Sequence, residues 1–299
     1  MSGAHRTGTT WVGRLLAAAP GVAYISEPLN VLHRPGVFRA SVLHWYTYIC
    51  RDNEQAFLSS FRELLSFRYH LSAELKAIRS LRDLLRMGRD LAIFAGGRAG
   101  RRIPLLKDPF ALFSLPWFAE RLDCRIVVTV RHPAAFASGL KRLSWSFDFE
   151  NLLRQPLLMR DHLKPYENSM RSDVAGDVVG QAGLLWAILY GCLQELRTKD
   201  PSLLVVRHED LALDPVEGFK RLYDKLGLEF TARARRAVVD SSSAANPMEL
   251  SKQRVHSVRM DSRGSLQNWR RRLSAGEIER IRRLTDGVVQ HYYPEESWS

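Results

Sequence analysis

Residues 125–130 read Arg-Ile-Val-Val-Thr-Val, a β-branched and almost continuously apolar run that predicts a fully buried strand. A strand buried on both faces is typical of a parallel sheet that is covered by helices. Further strands are predicted at Val22–Ser26, 104–107 and 203–206, with helical patterns between them. This alternation predicts an α/β fold with a central parallel sheet flanked by helices.

The helical patterns set the expected organisation of the chain. They cover residues 11–19, 111–122, 133–143, 178–198, 216–226 and 275–290, and with breaks residues 55–94. We see no internal repeat, low-complexity tract or linker. The prediction is a single domain over residues 1–299, with a helical insertion at about residues 36–102.

The charge balance favours anionic partners. Lys and Arg number 44 against 32 Asp and Glu, a net charge of +12, which attracts nucleotides, nucleic acid, anionic substrates or anionic lipid without choosing among them. The 3 cysteines are far apart in sequence, which argues against a zinc site or a disulfide framework. With no apolar run of spanning length and no signal segment, a cytoplasmic protein is expected.

The segment at residues 3–10 reads Gly-Ala-His-Arg-Thr-Gly-Thr-Thr. Gly3 and Gly8 have the spacing of the Walker A pattern, but Thr9 stands where a lysine would reach the β- and γ-phosphates. Such a loop normally follows a buried strand. Either the start is trimmed or misassigned, or the first strand is very short.

This loop has the groups that an anion needs. The glycines let backbone N–H groups approach a ligand, and the helix start adjoining Thr10 adds partial positive charge. Thr7, Thr9 and Thr10 add hydroxyl donors, and Arg6 adds a full charge. The loop therefore predicts a site for a 5′-phosphate that carries one further anionic group. The alternative is a Gly/Thr helix cap without a ligand.

Residues 6–11, Arg-Thr-Gly-Thr-Thr-Trp, resemble the 5′-phosphosulfate loop of the sulfotransferases that use 3′-phosphoadenosine 5′-phosphosulfate (PAPS). The resemblance implies a P-loop-type sulfotransferase fold, with Arg6 at the bridging and sulfuryl oxygens and Trp11 on the adenine. The residues implied to bind the 5′-phosphate are Thr7, Gly8, Thr9 and Thr10. Many members of the family have Lys at the position of Arg6, whereas tyrosylprotein sulfotransferases have Arg.

A second segment resembles the family's 3′-phosphate site, where a strand ends in Arg and the next helix has Ser eight residues later. Arg131 ends the strand at residues 125–130, so the resemblance gives it this role. Ser138 lies only seven residues after Arg131, and the eighth residue is Gly139. This departure leaves open whether Ser138 or another group takes part.

Two further segments follow in the family's order. Arg263 and Gly264 resemble a loop that folds over the nucleotide, which makes both candidates for the 3′-phosphate. The stretch at residues 207–211 resembles a mainly structural segment of the family, with His208 implied near the adenine. The resemblance runs from residue 3 to about residue 272 and is absent from the insertion.

Sulfuryl transfer needs cations around the transferring group and a base for the acceptor hydroxyl, and no metal is expected. Glu27 follows the strand Val22–Ser26 and so reaches the sheet edge of the phosphate loop, which makes it the predicted base. The alternative for Glu27 is a loop cap. Lys107 resembles the transition-state lysine of tyrosylprotein sulfotransferases. Asp108 is the second candidate base, although an Asp before Pro is more often a helix cap.

The acceptor is the least defined element. Its hydroxyl belongs to a carbohydrate, a lipid-linked glycan, a tyrosine or a natural product; nucleic acid is not expected, and the oligomeric state is undetermined. The insertion contains aromatic residues that either line an acceptor pocket or pack in the core. It also has a basic amphipathic helix, which guides an anionic acceptor, contacts a membrane surface or is simply solvated. Its stripes are Arg79, Arg82, Arg86 and Arg89, and Leu75, Ile78, Leu81 and Leu85.

Three other functions compete with the sulfotransferase prediction. A P-loop nucleotide kinase or NTPase would need a lysine at Thr9 and a metal-binding Asp at a strand end. A basic nucleic-acid-binding module would explain the charge but not the ordered anion loops. A non-catalytic nucleotide-binding member of the fold is the third, and the presence of Arg6, Glu27 and Lys107 argues against it.

Overall fold

The strands of the protein all run parallel. The computed structural model describes residues 1–172, 176–249 and 257–298. Its strands are β1 (Ser2–Gly3), β2 (Val22–Ser26), β3 (Ile103–Lys107), β4 (Val127–Val130) and β5 (Leu204–Arg207). β1 pairs with β4 and β4 with β5, while β2 pairs with β3.

Two hydrogen bonds join the β2–β3 pair to the other strands. The amide of Asp108 donates to the carbonyl of Met1 at 3.0 Å, and the N-terminal ammonium donates to the carbonyl of Leu106 at 3.0 Å. These bonds place β3 beside β1, which gives the order β2-β3-β1-β4-β5. The predicted central parallel sheet is confirmed.

β1 has two residues, Ser2 and Gly3. Its two residues pair with β4, Gly3 opposite Thr129. Gly3 has a φ of 139°, and a Cβ at this position would lie 2.5 Å from the carbonyl oxygen of Thr129. Only glycine allows the backbone to pass so close to β4 before it turns into the loop.

The helices lie between and after the strands. In chain order they are α1 (Thr9–Leu16), α2 (Leu58–Leu65), α3 (Leu71–Ala77), α4 (Leu81–Ala99), α5 (Leu115–Leu122), α6 (Pro133–Leu143), α7 (Glu150–Leu153), α8 (Pro156–Leu158), α9 (Glu167–Arg171), α10 (Val178–Lys199), α11 (His208–Leu213), α12 (Pro215–Leu226), α13 (Ala232–Ser242), α14 (Asn268–Arg272) and α15 (Ala275–Thr285). Among the described residues, none of these helices combines the length and the apolar character needed to cross a membrane.

Helices cover both faces of the sheet. Val128 and Val130 of β4 are buried in a large apolar cluster that includes Trp186 of α10. Val127 is buried in a second cluster together with Phe219 of α12. Because successive side chains of a strand point to opposite faces, β4 is enclosed from both sides, as its apolar sequence predicts.

Some predicted boundaries change. The helix predicted at residues 275–290 ends at Thr285, because Asp286 is extended and Gly287 has a φ of 76°. The apolar pattern beyond Gly287 belongs to a 3₁₀ turn at Val289–His291. Between β2 and β3 the chain forms α2, α3 and α4. That residues 36–102 are an insertion within a single domain stays a prediction.

α10 connects the sheet to the loop after β1. The hydroxyl of Tyr190 donates to the carbonyl of Thr129 at 2.9 Å and accepts the amide of Ala4 at 3.1 Å. The indole of Trp186 donates to the carbonyl of Arg131 at 2.8 Å. These buried bonds hold the loop after β1 and the end of β4 against the same helix.

We expect Tyr190→Phe to lower the free energy of unfolding by about 1–3 kcal/mol, because it leaves a buried amide and a buried carbonyl without a partner. Urea denaturation measures the change. Tyr24→Phe is the matched control, since it keeps the ring that lies 4.2 Å from the guanidinium carbon of Arg14. Equal stability of both variants would contradict a bracing role for the Tyr190 hydroxyl.

Candidate active site

A cavity of about 560 Å³ lies at the carboxyl edge of the sheet. Residues that follow different strands line it: Arg6 after β1, Glu27 after β2, Arg131 after β4 and His208 after β5. Parallel strands bring their carboxyl ends to one edge, so residues distant in sequence meet there. The cavity is the candidate active site.

The loop at residues 4–8 leads into the N-terminus of α1. Gly8 precedes the helix with a φ of 90°. It packs against the ring of His208 so closely that a Cβ at this position would lie 2.5 Å from Nδ1. α1 has no side-chain cap and no acidic residue in its first turn. Thr9 and Thr10, in that first turn, line the cavity. Backbone N–H groups at such a terminus attract anions.

Thr7 and Arg6 have different positions in this loop. Thr7 is fully buried; its hydroxyl donates to the carbonyl of Ala4 at 2.6 Å and contacts the hydroxyl of Thr129 at 3.0 Å. Arg6 lines the cavity, with its guanidinium 5.9 Å from the ring centre of Trp145. Its φ of 68° is costly for a side chain larger than glycine, and such conformations concentrate at functional sites.

Half-buried guanidinium groups cluster beside the loop. Burial, and then the nearby charges of Arg131 and Arg142, lower the pKa of Arg6 to about 10. Burial also lowers the pKa of Arg131, whose Nη1 donates to the carbonyl of Arg6 at 3.2 Å. In the described parts of the chain, no carboxylate pairs with Arg131 within 4.0 Å. An anion bound here would relieve the repulsion between these cations.

The wall of the cavity has buried polar atoms without hydrogen-bond partners among the described residues. Within the described residues, Nε of Arg131 and both ring nitrogens of His208 have no hydrogen-bond partner. Burial holds the pKa of His208 well below its ordinary value, so the ring is neutral at pH 7. Trp11 meets His208 edge to face at 5.5 Å and donates its indole N–H to Ser241 at 3.0 Å. Polar groups of a bound ligand would supply the missing partners.

Glu27 and Lys107 form an ion pair at the edge of the cavity. Lys107 is fully buried at the end of β3, while Glu27 lines the cavity. The second oxygen of Glu27 accepts the side-chain amide of Asn30 at 2.8 Å. The backbone of Glu27 is left-handed, with a φ of 51°, and its amide donates to the carbonyl of Lys107 at 2.8 Å. This carboxylate is therefore fixed in direction and is still accessible from the cavity.

Asp108, the other candidate base, lies behind this pair. It is buried, and its carboxylate accepts the amides of Leu29 at 2.6 Å and Phe110 at 2.9 Å. Burial raises the pKa of Asp108 to about 7, although these two hydrogen bonds favour the charged form. It does not line the cavity. Asp108 therefore caps two backbone segments, the loop after β2 at Leu29 and the 3₁₀ turn that begins after Asp108 at Phe110.

The segment around Tyr46 brings part of the region between β2 and β3 into the site. Nδ1 of His5 lies 2.9 Å from the hydroxyl of Tyr46, and burial lowers the pKa of His5 to about 4. Trp45 lines the cavity and packs on Phe110 with 4.5 Å between ring centres. A neutral His5 adds no positive charge beside Arg6.

A family model described as the sulfotransferase family matches residues 1–232. The chain belongs to the sulfotransferase family. The resemblance inferred from the loop at residues 6–11 is therefore confirmed, and family membership disfavours the kinase and nucleic-acid alternatives. Carbohydrate sulfotransferase 2 of Mus musculus is 28% identical over 196 residues, which cover 60% of this chain and 34% of the mouse protein. The match thus spans about a third of that relative's length.

Two solved structures are similar over nearly the whole chain. Sulfotransferase STF9 from Mycobacterium avium has a TM-score of 0.47 and 14% identity, covering 98% of this chain and 76% of that one. The sulfotransferase domain from the curacin biosynthetic pathway has a TM-score of 0.43 and 16% identity, covering 98% of this chain and 96% of the domain.

The cavity unites most of the predicted site residues of this sulfotransferase. Those that line it are Arg6, Gly8, Thr9, Thr10, Trp11, Glu27 and Arg131. Thr7 does not line the cavity but donates its hydroxyl to the carbonyl of Ala4 within the loop. Lys107 is likewise not in the lining, and it contacts the cavity residue Glu27 by an ion pair. These residues lie at the ends of four different strands, β1, β2, β3 and β4, which is why their spacing in sequence is so wide.

Besides Thr7 and Lys107, three predicted residues do not line the cavity: Ser138, Arg263 and Gly264. Ser138 is fully buried, and its hydroxyl accepts Nη1 of Arg272 at 3.1 Å. Gly139, one position on, is the residue that faces the loop: a Cβ there would lie 4.0 Å from Cβ of Arg6. Arg263 donates Nε to the carbonyl of Leu213 at 2.7 Å, and Gly264 donates its amide to Asp261 at 2.9 Å.

The sequence analysis did not single out Asn30 and Trp145. Asn30 was detectable in principle, since it lies three residues after the predicted base in the same strand-end loop. Trp145 follows the end of α6 and reaches Arg6 only through the packing of α6 on α10. No local spacing marks it.

Asp108 generates a pH prediction. Its folded pKa of about 7 exceeds its ordinary value of 3.8, so between about pH 4 and 7 the folded protein keeps a proton that the unfolded chain has released. The contribution of Asp108 to stability should therefore fall as pH rises through this window. Urea denaturation should show that the wild-type advantage over Asp108→Asn is larger at pH 5 than at pH 8.

The exposed carboxylate of Asp123 provides the control. We expect wild type and Asp123→Asn to have parallel pH profiles. If the difference between wild type and Asp108→Asn were independent of pH, the raised pKa would be refuted.

Proposed function

We propose that this sulfotransferase transfers the sulfuryl group of PAPS to an acceptor hydroxyl by in-line displacement. The observation that supports it most is the convergence of Arg6, Arg131 and the Glu27–Lys107 pair on one cavity at the carboxyl edge of the sheet. Two half-buried cations suit the two anionic ends of the donor. A carboxylate beside them suits a hydroxyl nucleophile.

In this proposal the loop and α1 bind the phosphosulfate end of the donor. Backbone N–H groups at the start of α1 and the hydroxyls of Thr9 and Thr10 hold the 5′-phosphate, and Arg6 neutralises the sulfuryl oxygens. Arg131 binds the 3′-phosphate, and Trp11 with His208 flanks the adenine. Ser138, Arg263 and Gly264 remain sequence-based predictions for the 3′-phosphate.

Glu27 removes the proton of the acceptor hydroxyl as the acceptor oxygen attacks sulfur. The bond from sulfur to the bridging phosphate oxygen breaks at the same time, and 3′,5′-adenosine bisphosphate leaves. The ion pair with Lys107 and the hydrogen bond from Asn30 orient the carboxylate. When the proton reaches Glu27, Lys107 loses its charged partner and its ammonium can stabilise the charge that develops on the transferring group. One pair thus supplies both the base and the cation.

The acceptor enters past Trp45 and Trp145, whose rings line the cavity, with Asn151 and Asp148 on the same wall. Flat apolar rings beside polar groups suit a carbohydrate, and the mouse relative is named a carbohydrate sulfotransferase. We therefore propose a carbohydrate hydroxyl as the acceptor.

Calorimetric titration with 3′,5′-adenosine bisphosphate tests the donor site, with 5′-AMP and ATP as comparison ligands. We expect a clear preference for the bisphosphate. Arg131→Ala should weaken its binding about 100-fold, the usual cost of removing one partner of a buried charge pair. Arg125→Ala is the matched control, because Arg125 precedes β4 instead of following it and is exposed.

Equal affinity for ATP and the bisphosphate would overturn PAPS as donor. An unchanged affinity in Arg131→Ala would move the 3′-phosphate elsewhere. Arg263→Ala is the second arm of the experiment: unchanged binding would remove Arg263 and Gly264 from the site.

Glu27→Gln tests the base. We expect bisphosphate affinity close to that of wild type and a turnover lower by about 100- to 10,000-fold, the range for loss of a general base. Transfer of radiolabelled sulfate from PAPS to a panel of carbohydrate, phenol and lipid-linked glycan acceptors measures turnover. Asp148→Asn, at the other carboxylate of the cavity, is the comparison variant.

Full activity of Glu27→Gln together with loss in Asp148→Asn would assign the base to Asp148. Bisphosphate binding by wild type without transfer to any acceptor of the panel would favour the non-catalytic alternative.

A further inference from the structure

The outward face of α4 is apolar. The helix buries Asp90, Phe94 and Gly97 against the protein. At 100° per residue, Leu81 and Leu85 lie on the opposite side, and they are 72% and 70% exposed. The same line of the helix carries the exposed small residues Gly88, Ala92, Ala95 and Ala99. Leucine on the solvent side reverses the usual arrangement of an amphipathic helix on a core.

Neighbouring leucines widen this surface. Leu84 and Leu91 flank the line on α4, and Leu71 and Leu75 of α3 are also exposed. We call the exposed leucines of α3 and α4 the α3–α4 face. A concentration of exposed leucines on a folded protein is typical of a contact site.

The charges around this face are cationic. Arg82 and Arg86 are exposed along one flank of the leucine line. Asp83 is occupied in the N-terminal cap of α4, where it accepts the hydroxyl of Ser80 at 2.9 Å. Asp90 points inward and accepts Nη2 of Arg89 at 2.9 Å. Asp83 also lies 3.8 Å from Arg86 in an exposed ion pair. Both acids of α4 are thus engaged locally, while Arg82 and Arg86 remain exposed.

We propose that the α3–α4 face docks on the surface of an anionic lipid bilayer. The leucines enter the boundary between headgroups and acyl chains, while Arg82 and Arg86 contact lipid phosphates. An anionic polysaccharide would satisfy the arginines but leave the leucines in water. A second copy of this chain would cover the leucines but bring further arginines towards the same contact, where like charges repel.

α3 contacts the loop that follows β2, whose first residue is Glu27. Glu74 of α3 is buried, forms an ion pair with Arg34 and accepts the amide of Gly36 at 2.8 Å. Arg34 also donates to the carbonyl of Asp83 at 3.2 Å. Residues 34–36 lie just beyond Glu27 and Asn30, so the chain runs from the cavity to the α3–α4 face within about ten residues.

Vesicle co-sedimentation of the full chain tests the proposal, with phosphatidylcholine–phosphatidylglycerol vesicles against phosphatidylcholine alone. We expect binding to the anionic vesicles only. Leu81→Ser/Leu85→Ser should weaken it at least about tenfold through lost apolar burial. Arg82→Gln/Arg86→Gln should weaken it about 25-fold, about fivefold for each arginine.

Matched controls come from exposed residues on the other side of the sheet. They are the pairs Leu213→Ser/Val239→Ser and Arg233→Gln/Arg236→Gln. We expect both to bind vesicles as wild type does, and all four variants to keep the wild-type thermal unfolding midpoint.

Absence of wild-type binding to anionic vesicles would overturn the proposal, as would equal losses in the control pairs. A concentration-dependent dimer that Leu81→Ser/Leu85→Ser abolishes, without lipid binding, would assign the face to a second copy of the chain. These outcomes are independent of whether PAPS is the donor, since no variant alters the cavity.

Discussion

The partial burial of Arg6 and Arg131 side by side constrains the rest of the site. Both guanidinium groups lose solvation, which lowers both pKa values, and the charge of Arg131 lowers the pKa of Arg6 further. A protein tolerates this only if the surrounding backbone is rigid or an anion compensates. The sheet edge offers both conditions, because the loop after β1 and the end of β4 lie together at the mouth of an open cavity.

The rigidity comes from α10 more than from the sheet. β1 has only two residues and contributes little pairing by itself. Tyr190 bonds to both Ala4 and Thr129, and Trp186 bonds to the carbonyl of Arg131. The long buried helix thereby fixes the backbone next to both cations, and the strained φ of Arg6 persists because its neighbours are held on each side.

The parts that sequence could predict are those set by local chemistry. The buried strand at β4, the glycine-rich loop and the residues that follow strand ends all have local signatures, and they place Arg6, Glu27 and Arg131 correctly at one sheet edge. The register of α6 could not be predicted in this way. Because Ser138 turns towards Arg272 and Gly139 faces the loop, only the packing of α6 against α14 decides which residue meets the site.

The loop after β2 links the proposed chemistry to the proposed membrane contact. Its first residue, Glu27, is held in a left-handed conformation by Lys107 and Asn30, and its later part is clamped by Glu74 of α3. Both ends of this loop are held by polar contacts, Glu27 at the cavity and Gly36 at α3. In the two proposals, the same short segment carries the base at one end and contacts the docked helix α3 at the other.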